Sequence, residues 1–534
     1  MNTTEPGSPL PEFDESWQTG EAYLEALLSR LPADPEAQIE QLREVQRLHE
    51  TKEVGLLAYE QELRLLAGTS STDLYDAISA ETQPDLESPR AMVALLAGFG
   101  ESQRDHDIAT SARIAAILLG EWPDETRESG FQLRAGNAFE SAGMILESNI
   151  CELGVGDRVF WQDVFVELPD DDTFPIEFGN RSSERYDSRF ESLYFSPTRT
   201  RDHVDELLQY ALEDADARHC SYTDLARAYC LSAHASLPSH ALGLLRRCLN
   251  SIQQCRQIGM DDNESWRYVL ASLAIIRSTD QLAKHSRWVD MNEFDRGFGP
   301  AEFEKTLSDY KIAIIDTVTV LSANLFATPD RERDRLIWYR QLSAFAEENS
   351  YYSLTLTVME VFADTFHDTP DAAQSLLRAA RIYDEKLRYS GAAIQTYQRL
   401  LAHEYSPEQA DVRQIKLRLA KLLYDSNEYG EAYSVLINEL EASESLADET
   451  SLLLLAMCEW ELGFREQCET HVTELVREAD RSTSCVALLW LGASFKAQGD
   501  LAKAREYLEL VTAQYPGSAQ ADEAHALIRK MPNT

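Results

Sequence analysis

Three turn residues in the C-terminal part of the chain, Asn427, Gly463 and Gly499, stand 36 residues apart each time. A fixed period of this length constrains the fold more than any other feature. Each period is one supersecondary unit that cannot bury its apolar flank alone, so it must stack on its neighbours. The last period is the clearest. Leu491, Gly492 and Phe495 fall on a first helical run, Gly499-Asp500 makes the turn, Ala504 and Leu508 fall on a second run, and Pro516 closes the unit. In the middle period Leu455, Ala456 and Gly463 fit, while Cys468 stands where a smaller alanine is expected and Asp480 where a closing proline is expected. In the earlier one Leu419, Ala420, Tyr429 and Ala432 fit.

This pattern resembles the tetratricopeptide repeat, in which small residues sit where two helices cross closely and large ones fill the gaps. Ala379-Ala380, Tyr383, Ala393 and Tyr397 look like a further copy, and residues 332–366 like a weaker one. Ala97 with Ala109, and Ala228 with Ala241, hint at degenerate copies upstream. The resemblance is clearest over 375–528. It implies an all-α fold, a right-handed helical solenoid of αα-hairpins whose first helices line a concave face. It implies a non-catalytic scaffold that binds a peptide or helix of a partner protein on that face. On this alignment the inward-facing positions are Lys421, Tyr424, Met457, Trp460 and Lys496. Apolar anchors with two cations suit an acidic-tipped or amphipathic peptide. The competing reading has Trp460 and Met457 packing against the next helix. The asparagines with which some relatives clamp a terminal carboxylate do not occur here, so no such clamp is assigned. The closing run from Tyr515 to Ala524 also resembles repeat proteins of bacterial envelope assembly, which carry export signals.

Elsewhere the chain reads as helical hairpins. Residues 1–14 are rich in Pro, Gly and acids and read as a disordered tail. Helical hairpins follow over 15–153, with Asp34 as a cap and Pro35 in the first turn of one helix. Ser88-Pro89, Thr328-Pro329, Thr369-Pro370 and Ser406-Pro407 mark further helix starts, the last with Gln409 in a capping-box pattern. Residues 154–200 break the pattern with Gly154, Gly156, Pro169, Pro175, Gly179 and Pro197. They read as an irregular, aromatic-rich insertion clamped against the helices, and the alternation over 159–166 allows a short β-hairpin. Degenerate hairpins fill 201–330, with an irregular connection at 287–300, and the repeat region fills 331–534.

The formal net charge of −42 weighs against nucleic acid and anionic membranes as partners, because such a surface repels polyphosphates. No apolar run reaches the roughly 18 residues that would span a bilayer. With 44% apolar and 26% charged residues, most of the chain can bury a core. Met1 to Pro11 shows no basic and apolar leader, so a cytoplasmic location is expected, or a periplasmic one if a signal precedes the numbered start. Only ten lysines occur, a composition that resembles salt-adapted proteins or reflects arginine-rich coding. The eight cysteines (Cys151, Cys220, Cys230, Cys248, Cys255, Cys458, Cys468, Cys485) form no Cys-x-x-Cys pair and read as reduced, buried thiols.

No cofactor is expected, and the motifs of phosphate-binding loops, nucleophile elbows and zinc peptidases do not occur. His219, Cys220, Cys230, His234 and His240 include one pair at helical spacing, yet lack a recognised zinc pattern. Asp170-Asp171-Asp172 reads as a solvated acidic loop rather than a calcium site. Three readings of function remain open: the scaffold, an envelope-associated assembly factor, and an enzyme or carbohydrate-binding protein with a site built by 154–200. A scaffold should present an open groove containing Tyr424 and Trp460, with no buried titratable pair. An enzyme should bring carboxylates or histidines together in a closed pocket near the insertion.

Overall fold

A computed structural model describes residues 19–31, 33–49, 53–67, 71–81, 105–121, 129–167, 190, 194–195, 201–213, 221–255, 262–285, 300–327, 332–367, 369–401, 409–442 and 449–532. The tail 1–14, the connection over 287–299, Asp170–Asp172, His219, Cys220 and the helix starts at Ser88, Thr328 and Ser406 lie outside them. The described residues form 24 α-helices and no strand. Two units divide the chain, Met1–Val358 and Met359–Thr534.

In the first unit, hairpins are built by α1 (Gly20–Leu28), α2 (Pro35–Leu48), α3 (Glu53–Ala67), α4 (Ser71–Glu81), α5 (Asp105–Glu121), α6 (Ser129–Ser141) and α7 (Ile145–Leu153). Next come α8 (Arg158–Glu167), α9 (Arg201–Glu213), α10 (Tyr222–His234), α11 (Pro238–Cys255), α12 (Asp262–His285), α13 (Pro300–Phe326) and α14 (Glu332–Glu348). Asp34 occupies the cap of α2 but its side chain makes no capping bond, while Pro35 takes the first helical position as expected. The long helix α12 is the centre, touched by α7, α10 and α13. It buries Trp266, Val269, Leu270, Leu273 and Ile276. It also buries polar rungs, each of them bonded: Tyr222 with Ser272 at 2.7 Å, Tyr229 with Thr279 at 2.8 Å, and Asn149 donating to Ser278 at 2.8 Å.

The insertion departs from one expectation. Residues 158–167, where alternation allowed a β-hairpin, are helical. Among the described side chains there, Phe160, Trp161 and Val164 are buried, a helical spacing rather than an alternating one. Asp157 begins the helix, its carboxylate accepting from the Phe160 amide at 2.8 Å and from the Trp338 indole. Trp161 then stacks on Phe139 with ring centres 5.5 Å apart. Further along, Phe190, Tyr194 and Phe195 are buried, and Tyr194 donates to Glu147 at 2.7 Å.

The boundary between the units falls within α15 (Tyr352–Thr365), and the second unit continues through α16 (Pro370–Arg381), a π-helical turn (Ile382–Leu387) and α17 (Ser390–Leu401). Thr369 caps α16, accepting from the Ala372 amide at 3.3 Å. Three hairpins then stack: α18 (Gln409–Asp425) with α19 (Tyr429–Ala442), α20 (Glu449–Leu462) with α21 (Arg465–Glu478), and α22 (Arg481–Gln498) with α23 (Leu501–Gln514), closed by α24 (Ala519–Arg529). The 36-residue period has a local cause. Asn427, Gly463 and Gly499 are all left-handed, at φ 64°, 86° and 90°. At each turn the next residue's amide reaches back five residues to a helix carbonyl: Glu428 to Leu423 at 2.8 Å, Phe464 to Glu459 at 2.8 Å, Asp500 to Phe495 at 3.1 Å. That closure satisfies carbonyls the helix end would otherwise leave bare. The crossing points are as tight as the small residues suggest. Ala432, Cys468 and Ala504 are fully buried, and a β-carbon on Gly492 would come within 2.8 Å of the Leu508 side chain. One apolar core runs through the unit from Ala363 to Met531.

Candidate protein-interaction face

The first helices α18, α20 and α22 touch one another in sequence. Residues four and seven apart share a helix face. That rule groups Leu417, Lys421 and Tyr424 on α18; Leu453, Met457 and Trp460 on α20; and Leu489, Ala493 and Lys496 on α22. Because each trio lies 36 residues after the last, the three faces occupy equivalent positions in the stack.

The five residues singled out from sequence have different environments. Lys421 is exposed, and Tyr424 and Met457 are half-buried. Tyr424 packs edge-on against Tyr429 with ring centres 5.2 Å apart. Burial first, then the charge of Glu461, pushes its hydroxyl up to about 12, so it is a neutral donor at physiological pH. Trp460 is only 5% exposed. Phe495 and Trp490 of the next first helix meet its ring edge-on at 4.8 and 6.0 Å, and the Arg465 guanidinium lies 3.7 Å over it. Its ring belongs to the wall between two repeats, which is the packing alternative rather than an open anchor. Lys496 is half-buried and donates to the Leu527 carbonyl at 3.3 Å, tying the face to α24.

Sequence reasoning missed three members of this face. Leu417, Leu453 and Leu489 are half-buried and rest on the core one turn before the residues it chose. Their 36-residue spacing was the available signal. It also missed Glu459, which is 1% exposed and accepts from or shares a proton with His471 Nδ1 at 2.8 Å between α20 and α21. The hydrogen bond with Glu459 raises the His471 pKa, against the opposing effect of burial.

In the first unit, Arg227 and Glu147 form a buried pair at 2.9 Å, 2% and 0% exposed at their side chains. The expectation of no buried titratable pair is therefore corrected. Arg227 also reaches Asp224 at 3.3 Å and lies over the rings of Tyr194 and Phe195. Both Glu147 oxygens are engaged, one by Arg227 and one by Tyr194, so the cluster fastens Tyr194 and Phe195 to α7 and α10. A cleft of about 370 Å³ lies elsewhere in this unit, where Arg277, Asp280 and Lys284 of α12 line it together with Glu348 at the end of α14 and Asn349 just beyond it. Asp280 there is held by Lys311 and by the Tyr351 hydroxyl.

The suggested metal set does not assemble. Cys230 is fully buried, and burial pushes its thiol up to about 12, while His234 is half exposed and lies 4.0 Å from Glu140. Among the described residues no group of three His, Cys, Asp or Glu converges as metal ligands would. The side chains of Cys151, Cys230, Cys248, Cys458, Cys468 and Cys485 are buried.

Residues 486–518, comprising most of α22, its left-handed turn and α23, match the family model of the tetratricopeptide repeat. The second unit carries a tetratricopeptide repeat. The match ends two residues beyond Pro516, the closing proline of that repeat. No curated protein matches the chain. Similar solved structures include a chain of the APC/C hetero-tetramer Cut9–Hcn1, at 11% identity and a TM-score of 0.28 over 95% of this chain and 98% of that one. A circular tandem repeat protein with novel repeat topology and enhanced subunit contact surfaces is similar at 12% identity and a TM-score of 0.17, over 93% of this chain and 94% of that one. Among the described residues, no helix is long and apolar enough to cross a membrane.

Proposed function

We propose that the chain is a protein-interaction scaffold, and that a partner segment docks on the first-helix face of the tetratricopeptide unit. The observation that carries this reading is the repetition of one half-exposed apolar face on three successive helices, α18, α20 and α22. A stack of this kind needs no chemistry to act: it offers a continuous surface that other chains can cover. Lys421, Tyr424, Met457 and Lys496 make the contacts, with Trp460 as the buried wall beneath them. Proteins rather than nucleic acids are the partners, because the net charge of −42 repels polyphosphate. A cytoplasmic location belongs to the same proposal.

Affinity purification with mass spectrometry tests it, comparing the wild type with Tyr424→Ala and Met457→Glu. Partners that disappear in both variants support the face. Partners retained at equal abundance in both overturn it. Trp460→Ala is unsuitable for this purpose because its ring holds two repeats together. A second reading, an enzyme or carbohydrate-binding site at the insertion, draws on the convergence of Glu147, Asp224, Arg227 and Tyr194. Burial counts against it: the Glu147 side chain is 0% exposed and its two oxygens already accept from Arg227 and Tyr194, so no face of the carboxylate is open to substrate.

A further inference from the structure

Arg277 and Asp280 of α12 carry opposite charges three residues apart, a spacing at which such side chains ordinarily pair with each other. Each is instead held by other helices. Arg277 donates from Nε to Asn149 at 3.3 Å and from a terminal nitrogen to Glu152, both of α7. Asn149 is itself fixed by its bond to buried Ser278. One Asp280 oxygen accepts from Lys311 of α13 and the other from the Tyr351 hydroxyl at 3.0 Å. Burial, then the charge of Asp280, raises the Tyr351 pKa, so the hydroxyl keeps its proton and donates.

Both groups are held without being enclosed. The Arg277 side chain is 30% exposed and that of Asp280 38%, and both line the cleft of about 370 Å³. The charges around the cleft balance. Glu152 is answered by Arg277 and Asp280 by Lys311, while exposed Lys284 and Glu348 add one of each sign. A site that is neutral overall, yet sets a fixed cation beside a fixed anion, suits a ligand of the same kind. Cβ atoms three residues apart on a helix stand about 5–6 Å apart. A carboxylate and an ammonium on one carbon, each about 2.7–2.9 Å from its counter-charge, reach across that gap. A dicarboxylate sets one anion against Asp280, and a diamine sets one cation against Arg277. A peptide moves its terminal charges apart by about 3.3–3.6 Å for each added residue. Lys284 stands on the far side of Asp280, but among the described residues nothing holds it, so Arg277 is the fixed cation. Half-buried Leu153 and the Phe345 ring give the rest of a ligand an apolar wall. The volume falls within the range of about 300–1,000 Å³ that small-molecule sites occupy.

We infer that this cleft binds a free α-amino acid, its carboxylate on Arg277 and its ammonium on Asp280. The site lies in the first unit and uses none of the residues of the docking face, so either can fail alone. An amino acid bound there links α12 to the groups that hold Arg277 and Asp280, and occupancy stabilises these elements against local opening.

The test uses the full chain and isothermal titration calorimetry with each of the twenty coded L-amino acids. At least one should bind one to one. Its N-acetyl form, which lacks the ammonium, and its α-amide, which lacks the carboxylate, should each bind at least about tenfold more weakly. Succinate and putrescine should give no binding. Asp280→Asn and Arg277→Gln, with helix content checked by circular dichroism, should each weaken the amino acid at least about tenfold. Hydrogen exchange should slow in α12 and around Tyr351 when the amino acid is present. Absence of binding by all twenty at about 10 mM overturns the inference, as does equal binding of either blocked form or wild-type affinity in folded Asp280→Asn. If both variants unfold, the blocked forms titrated into the wild type decide the matter alone.

Discussion

Replacing Trp460 with alanine separates a structural wall from a binding anchor. The ring is 5% exposed, meets Phe495 at 4.8 Å and Trp490 at 6.0 Å, and carries the Arg465 guanidinium 3.7 Å above it. Removing a core tryptophan costs about 3–5 kcal/mol, because the cavity between α20 and α22 cannot fully collapse. The lost aromatic pairs and cation–π contact push toward the upper end of that range, while Arg465 keeps its hydrogen bond to the backbone carbonyl of residue 460. A repeat stack loses stability locally, since each hairpin touches only its neighbours. The loss therefore belongs in the amides of α20, α21 and α22, and a single chain-wide melting midpoint would blur it. Hydrogen exchange read by mass spectrometry should show slow amides of these helices exchanging about 10²- to 4 × 10³-fold faster, from about 1.4 kcal/mol per decade. Amides of α10 and α12 in the first unit should not change. A change below about tenfold in α20–α22 would mean the ring is not holding the repeats together, and the anchor reading of Trp460 would return.

Two further outcomes follow from local geometry. Gly463→Ala puts a β-carbon into open space at φ 86°, so its cost should be the left-handed penalty alone, about 1–2 kcal/mol, whereas Asn427→Gly should be neutral or stabilising; urea titration followed by circular dichroism of the helices checks both. His471 has a raised pKa because of Glu459, so the stability it adds is fully present below its ordinary value of 6.5 and is lost as pH rises through the folded value. The advantage of wild type over His471→Gln, measured by urea titration at several pH values, should shrink from pH 6 to pH 9, and an advantage that grows with pH would refute the linkage.

The hairpin stack was legible because its signals are backbone signals. A left-handed turn admits Gly or Asn, a close crossing admits Gly, Ala or Cys, and both restrictions recur on a 36-residue period that needs no knowledge of the surroundings. The helix over 158–167 was not legible for the opposite reason. Its apolar residues fit an alternating pattern as well as a helical one, and what decides between them is Asp157, held by Trp338 from 181 residues away. The buried Glu147–Arg227 pair is likewise a contact across 80 residues, and nothing in either local sequence marks it. At the candidate face the period gave the right helices but not the exposure of each side chain. Tyr424, Trp460 and Lys496 hold one repeat position, yet one packs on its own turn, one is buried by the next repeat and one is tied to the closing helix.

That divergence at one position bears on how such a surface acquires a partner. The turn and the crossing admit only small or left-handed-tolerant residues, so larger variation falls on the face, where each side chain meets different neighbours. Leu417, Leu453 and Leu489 nevertheless stay the same across three repeats that differ at the residues around them. Packing against their own core does not by itself require leucine at a half-exposed site, where substitutions usually cost little. A partner covering the proposed docking face would meet all three leucines and add a constraint that their own packing does not.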